Sequence, residues 1–529
     1  MVTSLAKGLR LIPLSTSENS LKLLLKTQKV HARLVKCGDL NQLPWLYLNC
    51  GAFSVARKLF DEITNWDLVS ATSIIGAFSR CNHHHDAISM FSHLLSTDVR
   101  PNEFTFSTVI HSGSAMCDIS TGKQLHACAM KMGFNSNLFV GSSLLNQYAK
   151  LGSIQDAEGA FQDIHEPNVV THTTLINAYL KNRMFCDACY LFESMPERNV
   201  VSWNCMIAGC SQHGLNEESV KFFVEMGRQR VPPNKETFPP VFTAAANITA
   251  LNMGKSFHGL AIKYVGDKEV DVYVANSLIN FYAKCGNLED GMLAFDSIKS
   301  RNTVSWSSVI CGYACNGKAK EALELYKKAR DLDIKPNDSM LHGLLFACNH
   351  AGLTDDGYRI FRSVKEEQPE IVKSEHYVSL INLFARAGRF DDAMRVLEEE
   401  FHFEPGVGIW KALTGGHQIN LNKEMAQFIA KRIKESDPKD SSSYVLMSNM
   451  YCSIGQWDDA SQIRRDIREK GMKRVTGSSW IEIKNEIHVF SNGYCTHPQS
   501  EEIYLILEYI NKDLVQSSFK LMDIVHILE

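Results

Sequence analysis

The fragment Val200-Val-Ser-Trp-Asn-Cys-Met-Ile207 returns 103 residues later as Thr303-Val-Ser-Trp-Ser-Ser-Val-Ile310, with looser copies at Leu68, Val169 and Val272. A chain that repeats itself at intervals of 31 to 37 residues is a stack of like units. Each unit packs only on its neighbours, so a polypeptide too long for one core escapes the usual division into domains. Between Val169 and Asn199, Leu175, Ile176 and Tyr179 fall at helical spacing, and Ala188, Leu191, Phe192 and Met195 follow after a short polar turn. The unit therefore reads as a pair of amphipathic helices. The array is expected to be all-α, a right-handed α-solenoid superhelix of two-helix repeats.

Interlocked signatures set the register. Laid end to end, the units run 68–102, 103–137, 138–168, 169–199, 200–234, 235–271, 272–302 and 303–337, with lengths of 35, 35, 31, 31, 35, 37, 31 and 35. Ala-x-x-x-Phe marks the second helix at Ala56/Phe60, Ala157/Phe161 and Ala188/Phe192, with Gly291/Phe295 in the same place. The small residue lets two helices approach, and the Phe fills space against the next unit. A His followed five residues later by Lys marks the longer class, at His31/Lys36, His126/Lys131 and His258/Lys263. Tyr-Ala-Lys-x-Gly marks the short class, from Tyr148 to Gly152 and from Tyr282 to Gly286. Pro-Asn closes three units, at Pro101, Pro233 and Pro336, where proline keeps a helix out of the connecting loop. At the start, Gln28 to Gly38 reads as the end of a long unit. Leu43 to Asp67 is too short for a full helical pair and reads as a frayed cap.

Composition narrows the function. A net charge of −4 argues against affinity won mainly by phosphate neutralisation, so any RNA role must rest on base contacts along a groove. No apolar run reaches the roughly 18 residues needed to span a bilayer, and no membrane partner is expected. The 15 cysteines are odd in number and lack a framework spacing, which points to a reducing compartment and unpaired thiols. Before Asp39 the chain carries Lys7, Arg10, Lys22, Lys26, Lys29, Arg33 and Lys36 against the single acid Glu18, with serines and leucines between them. That composition suits an organellar transit peptide; a basic first helix is the alternative.

The Val-Val-Ser-Trp-Asn openings, Tyr-Ala-Lys-x-Gly turns and Pro-Asn endings resemble those of the plant pentatricopeptide repeat proteins, in the subfamily with alternating P, L and S motifs. Tetratricopeptide arrays also stack helix pairs, but with a uniform period of about 34 and a taste for peptides. Further on, Glu375-His-Tyr, Ala385-Arg-Ala-Gly388 and Phe403-Glu-Pro405 resemble the family's last L and S motifs. Trp410-Lys-Ala-Leu413, then Tyr444 to Tyr451 with Gly455-Gln-Trp457, resemble its E1 and E2 motifs. Gly477-Ser-Ser-Trp-Ile-Glu482 and His497 to Tyr504 resemble the start of the domain after E2. The resemblance implies a targeting segment at 1–27, degenerate repeats at 28–67, P, L and S repeats at 68–337, and final L and S type repeats at 338–406. E1 and E2 motifs would follow at 407–474, and a truncated E+ region at 475–529.

In this family each repeat is implied to bind one base of single-stranded RNA, read 5′ to 3′ from the N-terminus. Splayed bases expose their Watson–Crick edges, and a helical repeat can offer two side chains to each. Those are the fifth residue of the unit and its last; the apolar second residue, here Val69, Val170, Val201 and Val304, packs on base faces. The pairs that match are Thr72/Asn102, Ser142/Asn168, Thr173/Asn199, Asn204/Asn234, Asn276/Asn302 and Ser307/Asn337. By the family's rule Thr or Ser with a final Asn implies adenine, and Asn with Asn a pyrimidine. With the S motif near Ser374 placed four bases before an edited cytidine, the register is A at −13, −11, −10 and −6, and pyrimidine at −9 and −7. The long units offer Ser107/Asn137 and Pro239/Asp271, which the rule reads poorly. The competing reading is that these Asn and Ser residues merely cap helices.

Family members with their own chemistry continue into a deaminase-like domain that needs His-x-Glu and Cys-x-x-Cys segments for zinc and proton transfer. After Trp480 the sequence has one cysteine, Cys495, and no His-x-Glu. The expectation is therefore a non-enzyme without cofactor, a site-recognition factor for C-to-U RNA editing. Its partner would be a deaminase-bearing pentatricopeptide repeat protein or an editing adaptor, met through the E/E+ region. The compartment implied is the mitochondrion, with the plastid second. An RNA stabilisation or splicing factor is the alternative function, and a protein-binding scaffold the next. Cys186-x-x-Cys189 reads as helix packing and His83-His84-His85 as a solvated turn, not as metal sites. Trp203 and Trp306 recur with the repeat and read as packing residues.

Overall fold

A residue with left-handed backbone stands at the fifteenth position of every unit: Asn82, Cys117, Gly152, Arg183, Gly214, Thr249, Gly286 and Gly317, with φ between 50° and 78°. It reverses the chain between the two helices, and the Gly of Tyr-Ala-Lys-x-Gly is this residue. The computed structural model describes residues 43–48, 51–63, 66–266, 271–401, 406–414, 423–436, 438, 440–472, 478–483, 486–491 and 499–510. The targeting segment, His31 and Lys36, Phe403-Glu-Pro405 and Cys495 lie outside the described residues. Two compact units divide the chain, one ending at Val231 and the other beginning at Pro232.

In the first compact unit the first helices Leu68–Arg80, Glu103–Ala115, Leu138–Leu151, Val169–Lys181 and Val200–Gln212 pack side by side as one layer. Their partners His84–Leu95, Ile119–Lys131, Ile154–Gln162, Phe185–Ser194 and Asn216–Arg228 pack against them as a second. The second compact unit repeats the arrangement, with first helices Phe238–Asn247, Val272–Lys284, Thr303–Cys315, Asp338–Ala351 and Ser374–Arg386. Helix pairs Val407–Thr414/Lys423–Ser436 and Ser441–Ser453/Trp457–Glu469 continue it. An antiparallel hairpin, Ser478–Ile483 with Glu486–Ser491, then adds a β element that the all-α expectation lacked.

The two length classes differ in the second helix. Units of 31 residues have second helices of 9 or 10, those of 35 have 12 or 13, and the 37-residue unit has 15 (Leu251–Val265). The step from the short to the 35-residue class is about one helical turn, so the added residues keep the same face on the core. In two short units an arginine closes the truncated helix. Arg198 Nε and Nη2 donate to the carbonyls of Phe192 (2.9 Å) and Glu193 (2.6 Å), and the guanidinium lies over the Phe192 ring. Arg301 repeats this on Phe295 and Asp296. These bonds satisfy carbonyls that a helix end leaves unpaired. Phe192 and Phe295 in turn meet Trp203 and Trp306 edge-on at 4.8 and 4.9 Å, the packing role expected of both tryptophans.

The same device corrects the reading of the N-terminal stretch. Leu43 to Asp67 does hold a helix pair, Leu43–Leu48 and Phe53–Glu62, joined through Gly51 at φ 71°. Trp66 closes the second helix by donating from Nε1 to the Phe60 carbonyl at 3.2 Å while stacking on the Phe60 ring. The pair was hidden because the stretch lacks a Val-Ser-Trp opening, and Trp66 stands where Arg198 and Arg301 stand in other units.

The two sequence signatures of the long and short classes turn out to be halves of one contact. His126 Nδ1 lies 2.9 Å from Tyr148 Oη, and His258 Nδ1 lies 2.8 Å from Tyr282 Oη. Beside them Lys123 pairs with Asp156 at 3.0 Å and Lys255 with Asp290 at 2.9 Å. Burial pushes both tyrosines up to about 12 and holds both imidazoles below their usual value, against the pull of the neighbouring aspartates. A glycine completes each junction. A Cβ at Gly254 would sit 2.0 Å from the Phe281 ring, and one at Gly122 would sit 2.2 Å from Gln147 Nε2. At the third such junction a Cβ at Gly357 would meet Leu383 at 2.5 Å, and the polar pair gives way to Tyr358 on Phe384.

Gly254→Ala is expected to cost about 1–3 kcal/mol through overpacking against Phe281, read as a lower urea midpoint. The imidazoles give a second expectation. Because His126 and His258 resist protonation in the fold, the unfolded chain binds more protons below pH 6.5, and stability falls as pH is lowered through that value. Thermal midpoints measured from about pH 7 to about pH 5.5 should drop, and the drop should be smaller in the His126→Gln/His258→Gln variant.

Candidate nucleic-acid interface

The last residue of every unit but 200–234 is the N-cap of the next first helix. Oδ1 accepts a backbone N–H from Thr105 in Asn102 (3.0 Å), Thr171 in Asn168 (3.0 Å), Ser305 in Asn302 (2.9 Å) and Met340 in Asn337 (2.9 Å). Asn199 accepts from Val201 and Ser202 at 3.0 and 3.1 Å, and Asn234 from Glu236 and Thr237 at 3.1 and 3.2 Å. The capping reading of these asparagines is therefore correct at five of the six positions, while Asn234 closes the turn ahead of Phe238–Asn247. It does not compete with recognition. An N–H donor requires an oxygen, so each cap fixes the amide orientation and consumes only Oδ1. The Nδ2 groups of Asn102, Asn168, Asn199, Asn302 and Asn337 keep their protons without a partner among the described residues.

The fifth residues lie one turn further along the first helices. Thr72 Oγ1 is 2.7 Å from Thr105 Oγ1, which donates to Asn102 Oδ1 at 2.9 Å, so the fifth and last residues of unit 68–102 join in one hydrogen-bonded chain. Ser142 and Thr173 instead turn their hydroxyls back to the carbonyls of Leu138 (2.5 Å) and Val169 (2.9 Å). They make no bond with Asn168 or Asn199 among the described residues. Ser307 is buried, and Asn204 is half-buried. Asn276 is 9 % exposed and its Oδ1 has no partner, an acceptor at the site that awaits a donor. Asn204 and Asn234 fall in different compact units.

Second positions carry exposed apolar side chains in each compact unit. Val69, Val170, Val201 and Val304 are joined by Phe104, Phe139 and Tyr273, and all seven are between 51 % and 79 % exposed. Large apolar side chains left in water at one register position mark a binding surface. The three aromatics were missed because only valines were sought there, although the register itself points to them. Arg80, Lys150, Lys181 and Arg386, each in the last turn of a first helix, were missed too. They are exposed and carry no ion pair or hydrogen bond among the described residues. Such cations suit the negative end of the helix dipole and remain available to phosphates.

The other constellations hold no site. Cys186 and Cys189 lie on Phe185–Ser194, and no cluster of three potential metal ligands occurs among the described residues. His83 stacks on Phe53 at 4.2 Å and faces Asp86. The described cysteines are free thiols, and no described helix is long and apolar enough to cross a membrane.

Comparison with known proteins agrees with this geometry. A PPR repeat family model matches residues 66–113 and 198–247, and a PPR repeat model matches 170–200, 273–303, 304–334 and 375–399. An E motif model matches 420–482. A mitochondrial pentatricopeptide repeat-containing protein of Arabidopsis thaliana is 44 % identical over 485 residues, 90 % of this chain and 93 % of that protein. Another from the same plant, also mitochondrial, is 33 % identical over 88 % of this chain and 67 % of its own length. Among solved structures, maize PPR10 in complex with an 18-nt psaJ RNA element is similar with a TM-score of 0.65 at 15 % identity, over 82 % of this chain and 69 % of that one; the likeness is one of fold.

The cap yields a direct expectation. Asn199→Ala should cost about 1 kcal/mol, whereas Asn199→Asp, whose carboxylate still accepts the two N–H groups, should match the parent within a few tenths. Urea unfolding of the two variants checks this.

Proposed function

Since the chain belongs to the pentatricopeptide repeat family, we propose that it binds single-stranded RNA and acts as a site-recognition factor for C-to-U editing, with the deaminase supplied in trans. The compartment is the mitochondrion, as in the names of the Arabidopsis relatives at 44 % and 33 % identity. The observation that carries the RNA reading is the division of labour at the boundaries closed by Asn102, Asn168, Asn199, Asn302 and Asn337. One asparagine spends its oxygen on the cap and keeps its amide protons, beside an exposed apolar second residue and a polar fifth residue. A base edge needs such a donor, and a base face needs such an apolar neighbour. The neighbour of similar fold in its complex with RNA supports the same role.

The editing role rests on the E motif match at 420–482 beyond the repeats. A protein that only protected or helped splice a transcript would need the repeats alone, which makes that role, like a protein-binding scaffold, the secondary reading. On the editing reading the repeats bind, and the reaction belongs to a separate deaminase met through the E and E+ region, directly or through an adaptor. The fifth and last residues then select A at −13, −11, −10 and −6 and a pyrimidine at −9 and −7.

Filter binding with an RNA of this register should exceed binding of a scrambled RNA, and swapping purine for pyrimidine at −10 or −9 should each weaken it about tenfold. Asn199→Asp exchanges a donor for an acceptor, so preference at −10 should move from adenine to guanine, whose N1 carries a proton. Indifference to all of these swaps would sink the register. In plants lacking the protein, a single mitochondrial cytidine should revert to unedited. Intact editing with a lost or unspliced transcript would favour the secondary reading.

A further inference from the structure

Asn234 differs from the other five final asparagines in what holds its amide. Its Oδ1 accepts from the backbone N–H groups of Glu236 and Thr237 and from Thr237 Oγ1 at 3.0 Å, and its Nδ2 donates to Glu236 Oε2 at 3.4 Å. At the other five boundaries Nδ2 has no partner among the described residues. The local backbone explains the difference. Pro239 and Pro240 open Phe238–Asn247, and proline suits the first turn of a helix, where its missing N–H is no loss. This first helix therefore starts at the fourth residue of its unit instead of the first. Glu236, the second residue, falls in the turn ahead of the helix, and its side chain folds back on Asn234.

The carboxylate is otherwise uncommitted. Glu236 is exposed and carries no ion pair among the described residues, and Lys235 beside it turns to Asp271 at 3.6 Å. Its own unit has Pro239 as fifth residue, without a polar side-chain group, so Glu236 completes no reading pair there. The units before and after carry Val201 and Tyr273 at the second position. An acid in that place brings negative charge toward a polyanion and works against affinity, so its value lies in discrimination.

Resting on the RNA reading above, we propose that Glu236 makes the array select cytosine over uracil at −9, where the Asn204/Asn234 pair by itself implies only a pyrimidine. On that reading the final asparagine meets the ring nitrogen of the base, and Asn234 Nδ2 with Glu236 Oε2 sets a donor beside an acceptor. Cytosine answers with N3, an acceptor, next to its N4 amine, a donor that a carboxylate suits. Uracil reverses both groups: N3–H faces the amide, and O4 faces the carboxylate. Unit 272–302 supplies the comparison. It carries the same kind of pair, Asn276/Asn302, but Val304 holds the following second position, and the Asn302 amide has no partner among the described residues. One group judges the pyrimidine at −7, and two judge it at −9.

The test uses the full chain and RNAs of the proposed register that carry cytosine, uracil or a purine at −9, and cytosine or uracil at −7. Filter binding should show cytosine favoured over uracil about tenfold at −9 and about threefold at −7. Glu236→Val removes a negative charge and restores an apolar side chain, so both −9 pyrimidine RNAs should bind more tightly. Its preference for cytosine at −9 should fall to about threefold, while that at −7 stays as in the parent. The ratio between the two bases is the readout, because a change in charge or stacking moves both affinities together. Equal preferences at −9 and −7 in the parent, or a −9 preference that survives in the variant, overturns the role of Glu236. The purine at −9 is the control. Discrimination against it without a difference between cytosine and uracil leaves the register intact and removes only the Glu236 contact, whereas a purine bound as well as either pyrimidine removes both.

Discussion

Nine first helices begin on a side-chain oxygen. Asp67, Asn102, Asn137, Asn168, Asn199, Asp271, Asn302, Asn337 and Asp440 accept the first free backbone N–H groups of the helix that follows. A helix start leaves up to four such donors without an internal partner, so the cap settles where the helix begins. That point then dictates which residue is second and exposed, which is fifth and faces the neighbouring unit, and which is thirteenth, the place of Arg80, Lys150, Lys181 and Arg386. The spacing of chemical groups along the array follows from one repeated local bond. At the start of Ser374–Arg386 the device changes: the Lys373 backbone N–H donates to His376 Nδ1 at 2.9 Å, and the buried imidazole faces Asp338 through Nε2.

The second layer absorbs what the first cannot. First helices share a surface and must stay nearly equal in length, so variation in the repeat goes into the second helix. The short units stop early and close on Arg198, Arg301 or Trp66, each satisfying the carbonyl left bare by the missing turn. The long units run on and bring Gly122, Gly254 and Gly357 against the bulky residues of the next first helix. Alternation of the classes is thus an alternation of junctions. The His126–Tyr148 and His258–Tyr282 contacts occur where a long unit meets a short one.

Much of this was legible from the chain. The fifteenth-position turn, the final asparagines and the small residue ahead of Phe are demands of local geometry, and local demands leave residue types at set spacings. The fifth and last positions were reachable for the same reason. What escaped was of two kinds. Phe104, Phe139 and Tyr273 were overlooked because side chains of other size filled a register position known only through valine. The N-terminal pair was overlooked because Trp66 performs a task that arginine performs elsewhere.

By itself the sequence determined the unit, its two length classes and which residues stand at the second, fifth and last positions, because caps, turns and amphipathic spacing act within a few residues. Only the tertiary structure decided how those residues combine. Thr72 reaches Asn102 through Thr105, Ser107 is drawn to Ser143, and Phe104 meets Phe139. It also showed that an asparagine can cap with its oxygen and still hold out its amide. These pairings join residues of adjacent units, which come within bonding distance only once one first helix has packed on the next.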